Sequence, residues 1–322
     1  MNTLSILLDA FPRPVSGERI ASANGLSRSA VWKQIQALQK LGLKIEGKQN
    51  SGYRLLEWPD LLLPEMIEHY RSGQLGHPVY WHDVLASTNT TAKDLARQGA
   101  KHGTLVVSET QTAGRGRRGR TWVSPPSEGI FASLILRPEV PTRRVPLLTL
   151  ATGIALVEAL QSFGLHEAWL KWPNDVWVGR RKLAGVLSEF SGELDRVDFV
   201  VIGMGINMHQ AEFPSEIDHT ATSFFRETGQ RTNRAQVLAR TLGELEKILP
   251  LLEQADTAPL FTAWQKHDRL VGQEVNVIET TGTYTGKALG LSESGALRVA
   301  LPDGTEKLVL AGDVSIRPHT DS

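Results

Sequence analysis

Gly114-Arg-Gly-Arg-Arg-Gly-Arg120, continued by Thr121-Trp122-Val123-Ser124-Pro125-Pro126, is the stretch on which the reading of this chain turns. It fits the dinucleotide fingerprint Gly-x-Gly-x-x-Gly, and a β-rich run at about Thr104–Glu109 precedes it. That fingerprint works only where it opens a helix, whose first amides then face a pyrophosphate. Here β-branched Thr121 and Val123 and two prolines follow, and no helix can start. A Rossmann domain is excluded. Two readings of the loop stay open. Glycines let backbone approach a ligand and arginines offer planar paired donors to phosphate, which describes a nucleotide loop. A solvated Arg-Gly turn that holds RNA loosely has the same composition. A second phosphate-loop lookalike, Gly282-Thr-Tyr-Thr-Gly-Lys287, has one residue too few between its glycines, and Ala288 replaces the hydroxyl that would hold Mg²⁺.

Upstream, Leu4, Leu7, Leu8 and Phe11 form the stripe of a short helix ended by Pro12. Ser16 is placed to cap a second helix through about Ala23, and Asn24-Gly25 makes a turn. Ser27 is placed to cap a third helix with Val31, Ile35 and Leu38 inward and Gly42 as its stop. Arg28, Ser29, Trp32, Lys33, Gln36 and Lys40 occupy the other face. Two strands, about Leu43–Glu46 and Gly52–Leu56, flank a polar tip at residues 47–51. This is the order of a winged helix-turn-helix, whose second motif helix enters the major groove while the wing meets the backbone. A solvated helical cap is the bland alternative. Residues 1–56 carry a charge of +5 and the rest of the chain −5, which favours a nucleic-acid contact at this end. Arg28, Ser29, Trp32 and Lys33 are the candidates for the groove and Lys48 for the backbone. Trp58-Pro59 and Pro64 punctuate a linker.

With 322 residues, 41% of them hydrophobic, the chain has room for two or three domains. It has no cysteine, which removes disulfides, thiolate metal sites and thiol nucleophiles. Its nine histidines form no His-x-x-x-His pair. The most apolar stretch, Val145–Leu165, contains Thr149, Thr152, Glu158 and Gln161 and does not read as a membrane span. No signal peptide is indicated, so a cytoplasmic location is expected. Helical patterns at about Arg234–Leu252 and Pro259–Leu270 lead to short β-rich runs at about Val275–Glu279, Tyr284–Leu291, Ala296–Leu301 and Lys307–Leu310.

Four blocks in order, Gly114–Trp122 (GRGRRGRTW), Lys171–Asp175 (KWPND), Lys182–Leu187 (KLAGVL) and Gly203–Asn207 (GMGIN), resemble the signature blocks of biotin protein ligases. With the helix-turn-helix in front, the chain is similar to the bifunctional class, in which the ligase also represses the biotin biosynthetic operon. The resemblance implies an α/β (α+β, mixed-sheet) catalytic domain at 65–270, between a winged helix-turn-helix at 1–58 and an SH3-like β-barrel at 271–322. It implies activation of biotin by ATP with Mg²⁺ to biotinyl-5′-AMP, with no tightly bound cofactor, then transfer to a lysine of a biotin carboxyl carrier protein. Operator DNA and, with biotinyl-5′-AMP bound, a second copy of the chain are the other implied partners. Carried over residue by residue, it places Ser87, Thr88, Asn89, Gln111, Arg115, Gly116, Arg117 and Lys182 at biotin. Arg117, Arg120, Trp122, Asn174 and Asn207 fall at ATP or adenylate, and Ile217 lies in the segment that closes over it. Lys182 is the main catalytic candidate, although without the resemblance it reads as a strand-edge lysine. Asp175 accepts a hydrogen bond, meets Mg²⁺ through water or helps deprotonate the incoming lysine. Ser87-Thr88-Asn89 also reads as the cap of a helix at about Thr90–Arg97. A ligand-sensing transcription factor with an inactive ligase body and a lipoate-type ligase are the competing readings. Retained Lys182, Asp175 and the arginine loop argue against the first, and the GRGRRG block, which lipoate ligases lack, argues against the second.

Overall fold

Three short helices open the chain: α1 (Thr3–Ala10), α2 (Gly17–Asn24) and α3 (Arg28–Lys40). The computed structural model describes residues 2–48, 51–193, 196–253, 257–279, 282–310 and 312–316. The caps fall where the serines stand. Ser16 Oγ accepts from Arg19 N at 3.1 Å and Ser27 Oγ from Ala30 N at 3.2 Å, while Gly25 ends α2 in the left-handed region. A hairpin of β1 (Ile45–Lys48) and β2 (Gly52–Leu55) follows. The first strand starts two residues later than the sequence suggests, because Leu43 is drawn back to the end of α3, its N–H donating to Leu38 O at 3.2 Å. Of the wing tip, Gln49 and Asn50 lie outside the described residues.

The stretch read as a linker is anchored. Trp58 packs edge-on to Phe11, the C-cap of α1, with ring centroids 5.3 Å apart and also meets His69 and Tyr70 of α4 (Pro64–Tyr70). Asp60 is held by Arg234, a fully buried side chain that also pairs with Glu109 at 2.9 Å and donates to Gly129 O at 3.0 Å. A buried guanidinium is tolerable only with such a full set of partners.

The central body is built from β3 (Val79–Leu85), α5 (Thr88–Arg97), β4 (Leu105–Gln111), β5 (Gly129–Leu136), α6 (Val145–Ser162), β6 (Ala168–Lys171), β7 (Asp175–Val178), β8 (Arg181–Glu193) and β9 (Arg196–Asn207). Its seven strands form one sheet in the order β3-β4-β5-β9-β8-β7-β6. Only β3 and β4 run parallel, joined by α5, so the sheet is mixed. Strand alternation sorts the core onto two faces. Val106, Ile135, Phe199 and Val201 meet Ala92 and Ala96 of α5 on one side. Their neighbours Leu105, Val107, Leu134, Val200 and Ile202 join the core shared with α6 on the other. α6 is apolar and long enough to cross a bilayer by composition, but most of it is buried in this core.

α7 (Phe224–Thr228), α8 (Arg234–Glu253) and α9 (Ala258–Gln265) follow. α9 is shorter than the sequence pattern suggests because His267 leaves the helix for the sheet, its carbonyl accepting from Leu170 N at 2.8 Å. The C-terminal unit is an antiparallel sheet of β10 (Glu274–Glu279), β11 (Gly282–Leu291), β12 (Leu297–Ala300), β13 (Glu306–Val309) and β14 (Asp313–Ile316), ordered β13-β12-β11-β10-β14. The Gly282–Lys287 lookalike lies wholly within a strand, so it cradles nothing. Within this unit β14 is the strand that the sequence pattern did not mark. It is four residues long and exists only through pairing with β10.

Candidate active site

Register decides where a ligand fits. On the α5 face of β9, Phe199 and Val201 pack against the helix, but the next two positions on that face are Gly203 and Gly205. Gly205 lies opposite Gly185 of β8, and Gly203 lies between Leu187 of β8 and Ser133 of β5. The absent side chains leave a cavity of about 460 Å³, within the usual range for small-molecule sites. Neighbours fill the floor so closely that it must be glycine. A Cβ on Gly203 would lie 2.1 Å from Asn89 Oδ1, and one on Gly205 would lie 2.6 Å from Trp122 Cε2.

One end of the cavity is neutral and buried. Ser87, Thr88 and Asn89 reach it from the start of α5, and Gln111 from the end of β4. The helix starts at Thr88 rather than Thr90, and Ser87 makes no side-chain cap. Its hydroxyl is therefore not spent on the cap. Thr88 N donates to Gln111 Oε1 at 2.9 Å, and Gln111 Nε2 donates to Ser124 Oγ at 3.1 Å. Asn89 Nδ2 donates to Glu189 at 2.9 Å and its Oδ1 accepts from Ser133 at 2.6 Å. Asn89 thus lines the cavity with its amide already hydrogen-bonded to the protein. Glu189 is held in turn by Lys93 at 2.7 Å. Burial raises the pKa of Glu189, and hydrogen bonds from Lys93 and Asn89 with the charges of Lys93 and Arg115 overcome that, leaving it below the ordinary carboxylate value.

The other end is charged and built on loops. The Gly/Arg segment forms a closed turn, with Gly116 N donating to Arg120 O at 2.7 Å and Trp122 N to Gly114 O at 2.9 Å. A 3₁₀ turn at Arg117–Gly119 tightens it, with Arg118 and Gly119 at positive φ. No helix follows, in keeping with the prolines. Arg115, Gly116, Arg117 and Arg120 all line the cavity. Arg117 donates to Asn174 Oδ1 at 3.1 Å, and its burial lowers the guanidinium pKa from the ordinary value. Arg120 pairs with Asp313 of β14, which Arg118 approaches at 3.5 Å. Asp313 and Val314 thus bring the C-terminal unit into the cavity wall.

Lys182, on β8, also lines the cavity. Its Nζ is 2.7 Å from Asp175 Oδ1, an ion pair off the angle of a directional hydrogen bond, and 5.4 Å from the Trp122 ring. Its backbone bridges to Thr220 and Thr222, which ties down the segment after β9. Asn207 ties the same segment, donating to Thr222 O at 3.0 Å. Asn174 Nδ2 donates to Val186 O at 2.7 Å, so with Arg117 on its oxygen this amide also serves the protein. Ile217 lines the cavity, together with two residues that sequence reading passed over, Phe213 and Lys171. Lys171 Nζ lies 3.7 Å above the Trp177 ring, and desolvation lowers its pKa to about 8 against the pull of Asp175. Its place in KWPND was the available signal. No cluster of three or more potential metal ligands of the His, Cys, Asp or Glu type occurs among the described residues.

The remaining predicted residues lie apart from the cavity, on the N-terminal unit. Arg28, Ser29, Trp32 and Lys33 are exposed on α3, Trp32 at 54%, and Lys48 is exposed at the end of β1. A tryptophan this exposed on a basic helix face suits a partner surface better than a solvated one.

Three family profiles match the chain: an HTH domain over residues 2–54, the Biotin/lipoate A/B protein ligase family over 81–207, and the Biotin protein ligase C terminal domain over 270–317. The Bifunctional ligase/repressor BirA of Bacillus subtilis is 37% identical over 92% of this chain and 92% of its own length. Its namesake from Escherichia coli is 34% identical over 94% and 92%. Among solved structures, biotin protein ligase from Aquifex aeolicus in complex with biotin and ATP superposes with a TM-score of 0.66 at 32% identity, covering 75% of this chain and 99% of that one.

Proposed function

The chain belongs to the biotin protein ligase family, and from that premise we propose how its cavity carries out the two half-reactions and how its N-terminal unit serves repression. The protein is an ATP-dependent, AMP-forming biotin ligase with a DNA-binding helix-turn-helix domain. Biotin and ATP are its substrates, and the acceptor is a lysine of a biotin carboxyl carrier protein. One observation carries the assignment to this cavity: neutral hydrogen-bonding groups, an arginine turn and a lysine–aspartate ion pair all line the same space.

In the first half-reaction a biotin carboxylate oxygen attacks the α-phosphorus of ATP, the bond to the β-phosphate oxygen breaks, and pyrophosphate leaves. Two anions must meet, and Lys182 is the cavity cation that neutralises them. In the second, the carrier amine attacks the acyl carbon, AMP departs with the bonding electrons, and the amine loses a proton. Asp175 is positioned to hold Lys182 and to accept that proton. Ser87, Thr88 and Gln111 take the ureido ring, whose buried polar atoms require matched partners. Arg115, Gly116 and Arg117 border the acyl chain and phosphate, Arg120 meets phosphate, and Trp122 offers its ring to the adenylate. Mg²⁺ bound with ATP would neutralise phosphate charge, and Asp175 is the cavity carboxylate that would help to hold it.

The working units are residues 1–58, 65–270 and 271–322, in a cytoplasmic protein. Arg28, Ser29, Trp32 and Lys33 enter the major groove and Lys48 meets backbone phosphate. One such unit offers too little surface for tight operator binding, so biotinyl-5′-AMP acts as corepressor by favouring a dimer that spans two half-sites. Biotin-dependent exchange of pyrophosphate into ATP by the purified chain tests the ligase. Sedimentation and operator binding with and without biotinyl-5′-AMP test the repressor. Equal operator affinity in both conditions removes the corepressor role and leaves the enzyme intact.

A further inference from the structure

We propose that Glu189 is a positioning residue that sets the hydrogen-bond polarity of the biotin ureido site, acting through Asn89 and Ser133 on Thr88. The proposal rests on the ligase reading and deepens it.

Acceptors that carry no proton dictate where the protons of this chain of groups lie. Asn89 Nδ2 lies 2.9 Å from Glu189 Oε2 and 3.3 Å from Leu187 O. A carboxylate and a carbonyl accept only, so the amide must turn its NH₂ toward them and its oxygen toward Ser133. Ser133 Oγ is 2.6 Å from that oxygen and 2.8 Å from Thr88 Oγ1. A carbonyl oxygen has no proton to give, so the single Ser133 proton goes to Asn89. Ser133 must then accept from the Thr88 hydroxyl. Gln111 Oε1, 3.2 Å from that hydroxyl, is already supplied by Thr88 N at 2.9 Å. Ser133 is fully buried and Thr88 and Asn89 nearly so, which leaves little room for water to substitute in the relay.

With its proton spent inward, Thr88 Oγ1 presents only lone pairs to the cavity. The site then offers a fixed acceptor on Thr88, an amide proton on Gln111 and a free hydroxyl on Ser87. A cyclic urea needs this set, with acceptors for its N–H groups and donors for its carbonyl. A ligand without N–H donors leaves the Thr88 lone pairs desolvated and unpaired, which is how a buried polar site rejects a near match. Lys93, 2.7 Å from Glu189 Oε1, pins the origin of the relay.

Glu189→Gln tests the direction of the relay with almost no change in shape. Lys93 requires an acceptor and claims the glutamine carbonyl, which leaves the glutamine NH₂ facing Asn89. Asn89 then rotates, Ser133 donates toward Thr88, and the displaced Thr88 proton turns to Gln111 Oε1 or to the ligand, so that Thr88 keeps one lone pair for the cavity instead of two. With the full-length chain, biotin and MgATP, the KM for biotin should rise about tenfold or more while kcat and the KM for ATP stay within about threefold. Adding Lys93→Met frees the glutamine carbonyl to face Asn89 and should return the biotin KM toward that of the unsubstituted chain. A biotin KM unchanged in Glu189→Gln, with a native melting curve, overturns the proposal. So does a KM raised equally in the single and double variants, which would make the residue a packing element only. An unsubstituted chain without biotin-dependent turnover removes the ligase reading itself, and is told apart by needing no variant.

Discussion

The two ends of the cavity are made by opposite means. The neutral end is set into regular structure: Thr88 and Asn89 on α5, Gln111 on β4, Ser133 on β5 and Glu189 on β8. Its partners are mutual and mostly buried. The charged end hangs on a turn with two residues at positive φ, and its arginines reach Asp313 in another structural unit and Asn174 at the mouth of β7. Under the proposed function, the difference follows from the ligands. A neutral ring must be matched atom for atom, because a buried unpaired polar atom costs more than its hydrogen bond returns. A triphosphate that arrives, is cleaved and leaves as pyrophosphate is better served by long cationic side chains in reach of solvent, whose attraction is less dependent on angle.

The largest expected effect lies at the cavity lysine. Lys182→Ala should reduce adenylate formation by about 10²–10³, the loss of ~3–4 kcal/mol of transition-state stabilisation, with an unchanged melting curve. Single-turnover release of pyrophosphate measures it, and near-normal turnover would remove Lys182 from the chemistry.

The two floor glycines offer a crossed test. Gly203→Ala displaces Asn89 and should raise the KM for biotin about tenfold with a smaller effect on ATP, whereas Gly205→Ala displaces Trp122 and should do the reverse. Equal effects on both substrates would show that the ends are not separable. Arg117→Ala should act on retention rather than chemistry. With the turn no longer tied to Asn174, biotinyl-5′-AMP escapes and labels bystander lysines several-fold more, as read by blotting a mixture of carrier and an unrelated protein.

The smallest effect is a titration. Burial holds Lys171 at about 8, below its ordinary 10.5, so its charge is lost as pH rises through 8. If that cation serves the phosphates, kcat/KM for ATP declines above about pH 8, and Lys171→Arg, which stays charged, flattens the step. The stability sign is the opposite. Between about 8 and 10.5 the unfolded chain binds the proton and the folded chain does not, so the penalty of burying this lysine is full below pH 8 and is relieved as pH rises. A thermal-melt series of the wild type against Lys171→Met over that range would show it.

Whatever depends on neighbours along the chain was legible from the residues alone. Ser16 and Ser27 cap because a serine hydroxyl reaches an amide three residues on, and Thr121–Pro126 forbids a helix through its own backbone. The motif blocks named the residues of the cavity, since fixed chemistry needs fixed side chains. Only the tertiary structure decided how those side chains are spent. Asn89 and Asn174 were legible as candidates, but that their amides are already engaged depends on residues 12 to 100 positions away. Ser133 sits in the apolar run GIFASLIL and Glu189 on a half-exposed strand, and neither looks functional alone. The partnership of Ser133 with Gly203 is a matter of strand register, and Asp313 lies on a strand that no local pattern marks. Local propensity is written in the chain, whereas the direction of a buried hydrogen bond is fixed by everything packed around it.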